Sequence, residues 1–317
     1  MVQDFRELPK LRDSWTYLYV EHCKVDREDK AIAIHDADGR VPVPCANLAL
    51  LMIGPGTSIT HAAISTLAEC GCSVLWTGEQ GVRVYAQGVG ETRSSSSLLR
   101  QVAVYSDPEA HMRMVFKLYA MRFPEPLPEG ITLQQLRGRE GVRVREAYAQ
   151  ASRETGVPWT GRSYDRTKWS DADPVNRALS AANSCLYGLC HAAIVSLGYS
   201  PALGFIHTGR QLSFVYDIAD LYKVGTTIPA AFAAVASGEM PVETTVRKMC
   251  RDNFVRMRLL ARIVEDLESL FGHDESTAEP CDTHDPAVPG ALWDPRAGQL
   301  QGGHNYADPG AGEESKL

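Results

Sequence analysis

Two segments hold residues suited to binding a cation beside a phosphodiester. In GFIHTGRQLSFVYDIADLYK, residues 204–223, His207 lies in a glycine-flanked turn ahead of a predicted helix that carries Asp217 and Asp220. Side chains three apart on a helix share one face. Their neighbours Phe214, Val215, Tyr216, Ile218, Ala219 and Leu221 make the helix largely buried, and a buried carboxylate requires a partner. Either a cation is that partner, or Asp217 pairs with an arginine while His207 is hydrogen-bonded in the core. The second segment, LRGREGVRVRE, sets Glu140 between Gly138 and Gly141 inside a helical pattern. Each glycine costs a helix about 1 kcal/mol relative to alanine, so another element is expected to approach the backbone there. The alternative is a solvated glutamate on an arginine-rich helix.

Carboxylates with one imidazole suit Mg²⁺ or Mn²⁺ better than structural Zn²⁺, which favours thiolates. Such ions serve phosphate chemistry, and phosphodiester transfer needs no protein nucleophile when a metal activates a hydroxyl. Nucleic acid is the best-supported substrate, because two stretches are locally basic. From Arg137 to Lys168 there are eight basic residues against four acidic, and from Arg247 to Arg262 six against one. The first stretch also interleaves Trp159, Tyr164 and Trp169, which suits base stacking. Two other chemistries are set aside. GPGTS at 54–58 lacks the lysine of a phosphate loop and the third glycine of a dinucleotide fingerprint, and no nucleophile elbow is present.

The elements that must position these groups fall in two blocks, giving a two-domain α+β chain. Residues 1–90 read as β: TYLYVEHCKVD, KAIAIHDAD, RVPVPC, LALLMIG, CSVLWTG and VRVYAQG are short alternating or β-branched runs. One helix interrupts them after GPGTS, with Thr57 or Ser58 as its expected cap and Gly71 as its stop. The small, polar VGETRSSSS marks a boundary. Residues 91–272 then read as all-α, including a single long helix over VETTVRKMCRDNFVRMRLLARIVEDLESLF. Residues 273–317 are rich in Gly, Pro, Asp and His and are expected to form a disordered tail, with Leu292, Trp293 and Leu300 as possible docking residues.

Bulk properties agree. A chain of 317 residues, 44% of them apolar, supports packed cores. No run approaches about 18 uncharged apolar residues, and MVQDFRELPKLRDSW lacks the pattern of a signal peptide, so a cytoplasmic location and no membrane partner are expected. The eight cysteines form no CxxC pair and are expected as reduced thiols, with Cys185, Cys190 and His191 read as packing on a small-residue helix rather than as a metal site. The net charge of −7 resides in the tail, where nine acidic residues face Arg296 and Lys316. The body has 30 basic and 30 acidic side chains, and a neutral body can still present a basic face.

The strings ITHAAI, WTGEQGVRVYAQG, LRGREG, GVPWTGRSYD, AANSCLYG, GFIHTGRQLSFVYDIADLYK and VRKMCRDNF run in order from about residue 50 to 260. They resemble the CRISPR-associated integrase family, Cas one, in its type I-E branch. The resemblance implies a β-rich N-terminal domain that dimerises and an all-α catalytic domain. It implies that Glu140, His207 and Asp220 bind Mg²⁺ or Mn²⁺, with Asp217 beside them. It further implies two Cas one dimers flanking a dimer of Cas two in a hetero-hexamer. That complex would insert short duplex DNA into a CRISPR array by 3′-hydroxyl attack on a phosphodiester. Arg83, Tyr164, Trp169, Tyr187, Arg210, Lys223 and Arg247 match the family's DNA-handling positions. Ser58 and Ser65 stand where close relatives carry DNA-contacting arginines, and His22 takes the place of a tyrosine that caps the bound duplex. The competing readings are a stand-alone nuclease for branched DNA and a non-enzymatic DNA-binding scaffold.

Overall fold

The structure, a computed structural model, describes residues 16–29, 31–45, 48–78, 84–88, 95–162, 173–272, 292–295 and 298–300. Residues Lys10–His273 form one compact unit. Its β-rich part contains β1 (Thr16–Val20), β2 (Lys24–Glu28), β3 (Ala31–Asp36), β4 (Gly39–Pro44), β5 (Leu48–Ile53), β6 (Ser58–Ile59), α1 (His61–Glu69), β7 (Ser73–Thr77) and β8 (Val84–Gly88). One sheet has the order β1-β5-β7-β8, parallel except at β8, and the other the order β4-β3-β2-β6. From Leu50 to Ile53 the residues alternate between two cores, as strand geometry requires. Leu51 and Ile53 pack with Leu67 of α1 and Ile32 of β3, whereas Leu50 and Met52 join Leu75 and Ala192, the last from the helical part.

The cap of α1 differs from expectation. Ser58 and Ile59 pair in parallel with Lys24 and Val25, so they are extended, and the helix starts two residues later with Thr60 Oγ1 accepting from the Ala63 amide. Gly71 ends it with φ +62, as its place in the sequence predicts.

The helical part comprises α2 (Ser96–Ser106), α3 (Pro108–Ala120), α4 (Leu133–Thr155), α5 (Pro174–Ser196), α6 (Ser213–Ala219), α7 (Thr227–Ala236), α8 (Val242–Arg256) and α9 (Leu259–Phe271). Thr132 and Gln135 close a capping box at the start of α4, and Gly156 at φ 71 terminates it. Helix α5 begins at Pro174 behind the Asp173 cap and is the central helix, most of it buried in the protein. Its alanines allow close approach, and it packs against α6, α7, α8 and α9.

The long C-terminal helix expected from the sequence is two. The buried stripe Val242, Val246, Cys250 and Phe254 has spacing four and would continue at Arg258, whose charge disfavours burial in the core. Arg258 instead adopts φ 47, and α9 restarts with Leu259, Leu260, Ile263, Val264 and Leu267 inside. The seven cysteines among the described residues are free thiols. Cys185 and Cys190 are buried in the packing of α5, and burial pushes the Cys190 thiol up and the His191 imidazole down, both toward neutrality.

A second unit, Met1–Pro9 with Asp274–Leu317, contains the antiparallel pair β9 (Leu292–Asp294) and β10 (Gly298–Leu300). Its strands hold Leu292, Trp293 and Leu300, the tail's few large apolar residues.

Candidate metal centre

The loop before α6 determines the geometry. A Cβ at Gly204 would lie 2.3 Å from the His207 carbonyl oxygen, so only glycine permits the turn. Phe205 anchors the loop edge-on to Phe214, and Gln101 of α2, fully buried, braces its approach: Nε2 donates to the Ser200 and Leu203 carbonyls at 3.0 Å each, and Oε1 accepts from the Ser200 amide at 2.7 Å. Three successive amides then converge on the Asp217 carboxylate. Phe205 N and Ile206 N donate to Oδ2 at 2.6 and 3.0 Å, and His207 N donates to Oδ1 at 2.8 Å.

Asp217 Oδ1 also lies 2.7 Å from His207 Nδ1. Beside an acceptor-only carboxylate, Nδ1 carries the proton, and the lone pair of neutral imidazole is left on Nε2. That nitrogen lies 3.9 Å from Asp220 Oδ2, on a ring 42% exposed. The two acids of α6 therefore differ in role despite their spacing. Asp217, 0% exposed, faces inward to orient His207, and Asp220 at the C-terminal end of the helix faces the site. Asp217 pairs with amides and an imidazole rather than with an arginine.

Glu140, midway along α4, has a side chain 14% exposed. It is held by Arg143, whose Nε donates to Oε2 at 2.8 Å and Nη2 to Oε1 at 2.9 Å, and by Arg122 Nη1 at 3.2 Å from Oε1. The same Arg122 Nη1 is 3.6 Å from Asp220 Oδ2, so two acids far apart in sequence meet on one guanidinium. Lys223 Nζ donates to Asp220 Oδ1 at 2.6 Å and lies 4.9 Å above the Tyr187 ring. Burial by itself pulls the Lys223 ammonium down; Asp220 and Tyr187 more than reverse this and raise it to about 12.

The structure thus brings together Glu140, His207, Asp217, Asp220, Tyr187 and Lys223. Among the described residues, no three histidine, cysteine or acidic side chains already stand at metal-ligating separation, because Arg122 lies between the two acids. The donor set still fits a hard divalent cation: two carboxylates on separate elements and an imidazole nitrogen fixed with its lone pair outward. Arg122 was not legible as a site residue. Its one signal is a cation in MRFPEP, between Met121 and Phe123 at the end of an apolar helix.

Arg210 is exposed in the turn before α6, Arg247 is half-buried on α8, and His22 is exposed at φ 51, with its ring against Gly56. Ser58 is exposed in β6, and Ser65 donates to Glu69 along α1. Arg83, Tyr164 and Trp169 fall outside the described residues. Trp159 is not a free stacking surface: its ring lies 4.4 Å from Tyr148 at 9° and edge-on to Phe232. Nor does the chain itself use the space left by the glycines around Glu140. A Cβ at Gly138 would meet nothing within 4 Å, and one at Gly141 only Arg145 Nη1 at 3.7 Å.

A β-rich domain packed on an all-α domain, with acids and an oriented imidazole gathered beside basic helices, defines a nuclease of the phosphodiester-transfer class. The chain belongs to the family described as CRISPR associated protein Cas1, whose model matches residues 16–124 and 119–251. It is 57% identical over 315 residues to CRISPR-associated endonuclease Cas1 2 of Thermus thermophilus, covering 98% of this chain and 97% of that one. It is 43% identical over 306 residues to CRISPR-associated endonuclease Cas1 of a Clostridium species, covering 95% and 99%. Among solved structures, the TtCas1-DNA complex superposes with a TM-score of 0.76 at 59% identity, covering 84% of this chain and all of that one.

Proposed function

We propose that this chain is a divalent-metal-dependent DNA integrase of the type I-E Cas one branch, which joins short duplexes to a CRISPR array in the cytoplasm. The observation that carries the reading is the Asp217-His207 pair, which turns one imidazole nitrogen toward Asp220, the acid that shares Arg122 with Glu140. Glu140, Asp220 and His207 Nε2 would hold Mg²⁺ or Mn²⁺. Bound there, such an ion would lower the pKa of an incoming 3′-hydroxyl and offset negative charge on the phosphate oxygens. The protein's residues do the rest. Asp217 fixes the tautomer, Lys223 and Arg143 place positive charge beside the carboxylates, and Tyr187 flanks the site with a ring suited to stacking. The basic runs around Glu140 and along α8 suit phosphate contact. Double-stranded DNA is the substrate, a reading that the similarity to a Cas1-DNA complex supports, and two Cas one dimers act with one Cas two dimer in a hetero-hexamer, the assembly that the ordered family strings imply.

Purified protein, Cas two, Mn²⁺ and a labelled duplex with free 3′-hydroxyls are expected to join label to a repeat-containing plasmid. Glu140→Ala should abolish joining and leave duplex binding largely intact; equal loss of both would make Glu140 structural. Cutting of a branched duplex by this chain alone, without joining, would favour the stand-alone nuclease.

A further inference from the structure

We infer that Arg122 is the site's resident counter-cation: it holds Glu140 and Asp220 together when no metal is bound, and it weakens metal binding by competing for both acids. The inference rests on the metal-dependent reading above and concerns what this chain does to that metal.

Arg122 follows α3, and its side chain is 3% exposed. The Tyr119 ring lies under its guanidinium at 4.8 Å. Only Nη1 engages the acids, at 3.2 Å from Glu140 and 3.6 Å from Asp220. Nε and Nη2 are buried without a hydrogen-bond partner. A guanidinium stays charged, and an arginine placed for structure alone would be expected to satisfy its fork of donors. Here two donor nitrogens are left unpaired so that the third can stand between two carboxylates. Arg143 does not share this position, because of the two acids it contacts Glu140 alone, and it is 20% exposed. Without Arg122 the two acids would face each other with little solvent between them, and like charges that close repel. A divalent ion drawn to the same pair must displace Arg122 from at least one acid or sit beside a positive charge. Either way Arg122 lowers the ion's affinity while keeping the ligands near one another.

The test is Mn²⁺ titration calorimetry on the full chain, on Arg122→Gln and on the charge-keeping Arg122→Lys. Removing the charge is expected to tighten Mn²⁺ binding at least roughly tenfold, and Arg122→Lys to stay within about threefold of the native chain. Arg122→Gln should also melt lower without metal and gain more from Mn²⁺ than the native chain does. Equal or weaker binding by a folded Arg122→Gln overturns the inference and leaves the metal reading standing. A native chain that binds no Mn²⁺ overturns the metal reading itself. Should Arg122→Gln fold only with Mn²⁺ present, the inference is supported. Should it fold in neither condition, hydrogen exchange on the native chain decides: Mn²⁺ must raise exchange over Tyr119–Phe123 as Arg122 leaves Glu140, and unchanged exchange overturns the inference.

Discussion

His207 Nδ1 lies 2.7 Å from Asp217 Oδ1, and that contact decides which imidazole nitrogen meets Asp220. Asp217→Asn keeps the shape but brings an amide donor against groups that already donate. Three amides and an imidazole then lose an anionic acceptor in a buried site. The expected cost is about 2–4 kcal/mol in urea unfolding. Mn²⁺ affinity should fall about 10–100-fold in calorimetry, the usual scale for a partner that orients a ligand. Native-like metal affinity in the variant would remove Asp217 from the positioning role.

Gln101 braces the same loop from α2 through its contacts with Ser200 and Leu203. Gln101→Leu leaves those backbone groups without their partner, at about 1–3 kcal/mol. Hydrogen exchange over residues 200–207 should accelerate more than exchange in α5. Uniform acceleration would mean that Gln101 stabilises the domain without holding the loop.

Gly138 and Gly141 have room for a methyl group within this chain. Alanine at either position should raise stability by about 0.5–1 kcal/mol through helix propensity alone, read as a higher urea midpoint. If either variant is more stable yet joins DNA poorly, the glycines serve the approach of a partner to α4. A destabilised variant would show that the space is needed within the fold.

Asp26 ties β2 to the cap of α1. The Lys24 ammonium at 2.9 Å, the Arg27 amide at 2.8 Å and the Thr60 hydroxyl at 3.0 Å lower its carboxyl from 3.8 to about 2. A depressed carboxyl stabilises the fold above its ordinary value, and that contribution is lost as pH falls from 3.8 through about 2. Carbon-detected NMR titration should place the Asp26 midpoint near 2. Thr60→Val should move it up; an Asp26 midpoint of 3.8 in the native chain would contradict these contacts.

The elements were legible in the sequence because they depend on local periodicity, and the family because its strings run in order along the chain. The β-branched and apolar runs of residues 1–90 and the small-residue face of α5 each follow from residues close in the chain. Some boundaries escaped that logic. The cap of α1 moved to Thr60 because Ser58 and Ile59 pair with a strand distant in sequence, and the helix after Pro241 broke at Arg258 because the stripe of α8 ran out of apolar residues. Within the site, spacing placed Asp217 and Asp220 on one helix and drew attention to His207 and Glu140. It could not tell an acid that faces backbone amides from one that faces the site. That difference, and the placement of Arg122 between Glu140 and Asp220, depends on where a loop, a helix end and α4 converge in space. Charge and hydrogen-bond partners act over a few ångströms whatever the sequence separation, so only the tertiary structure could assign them.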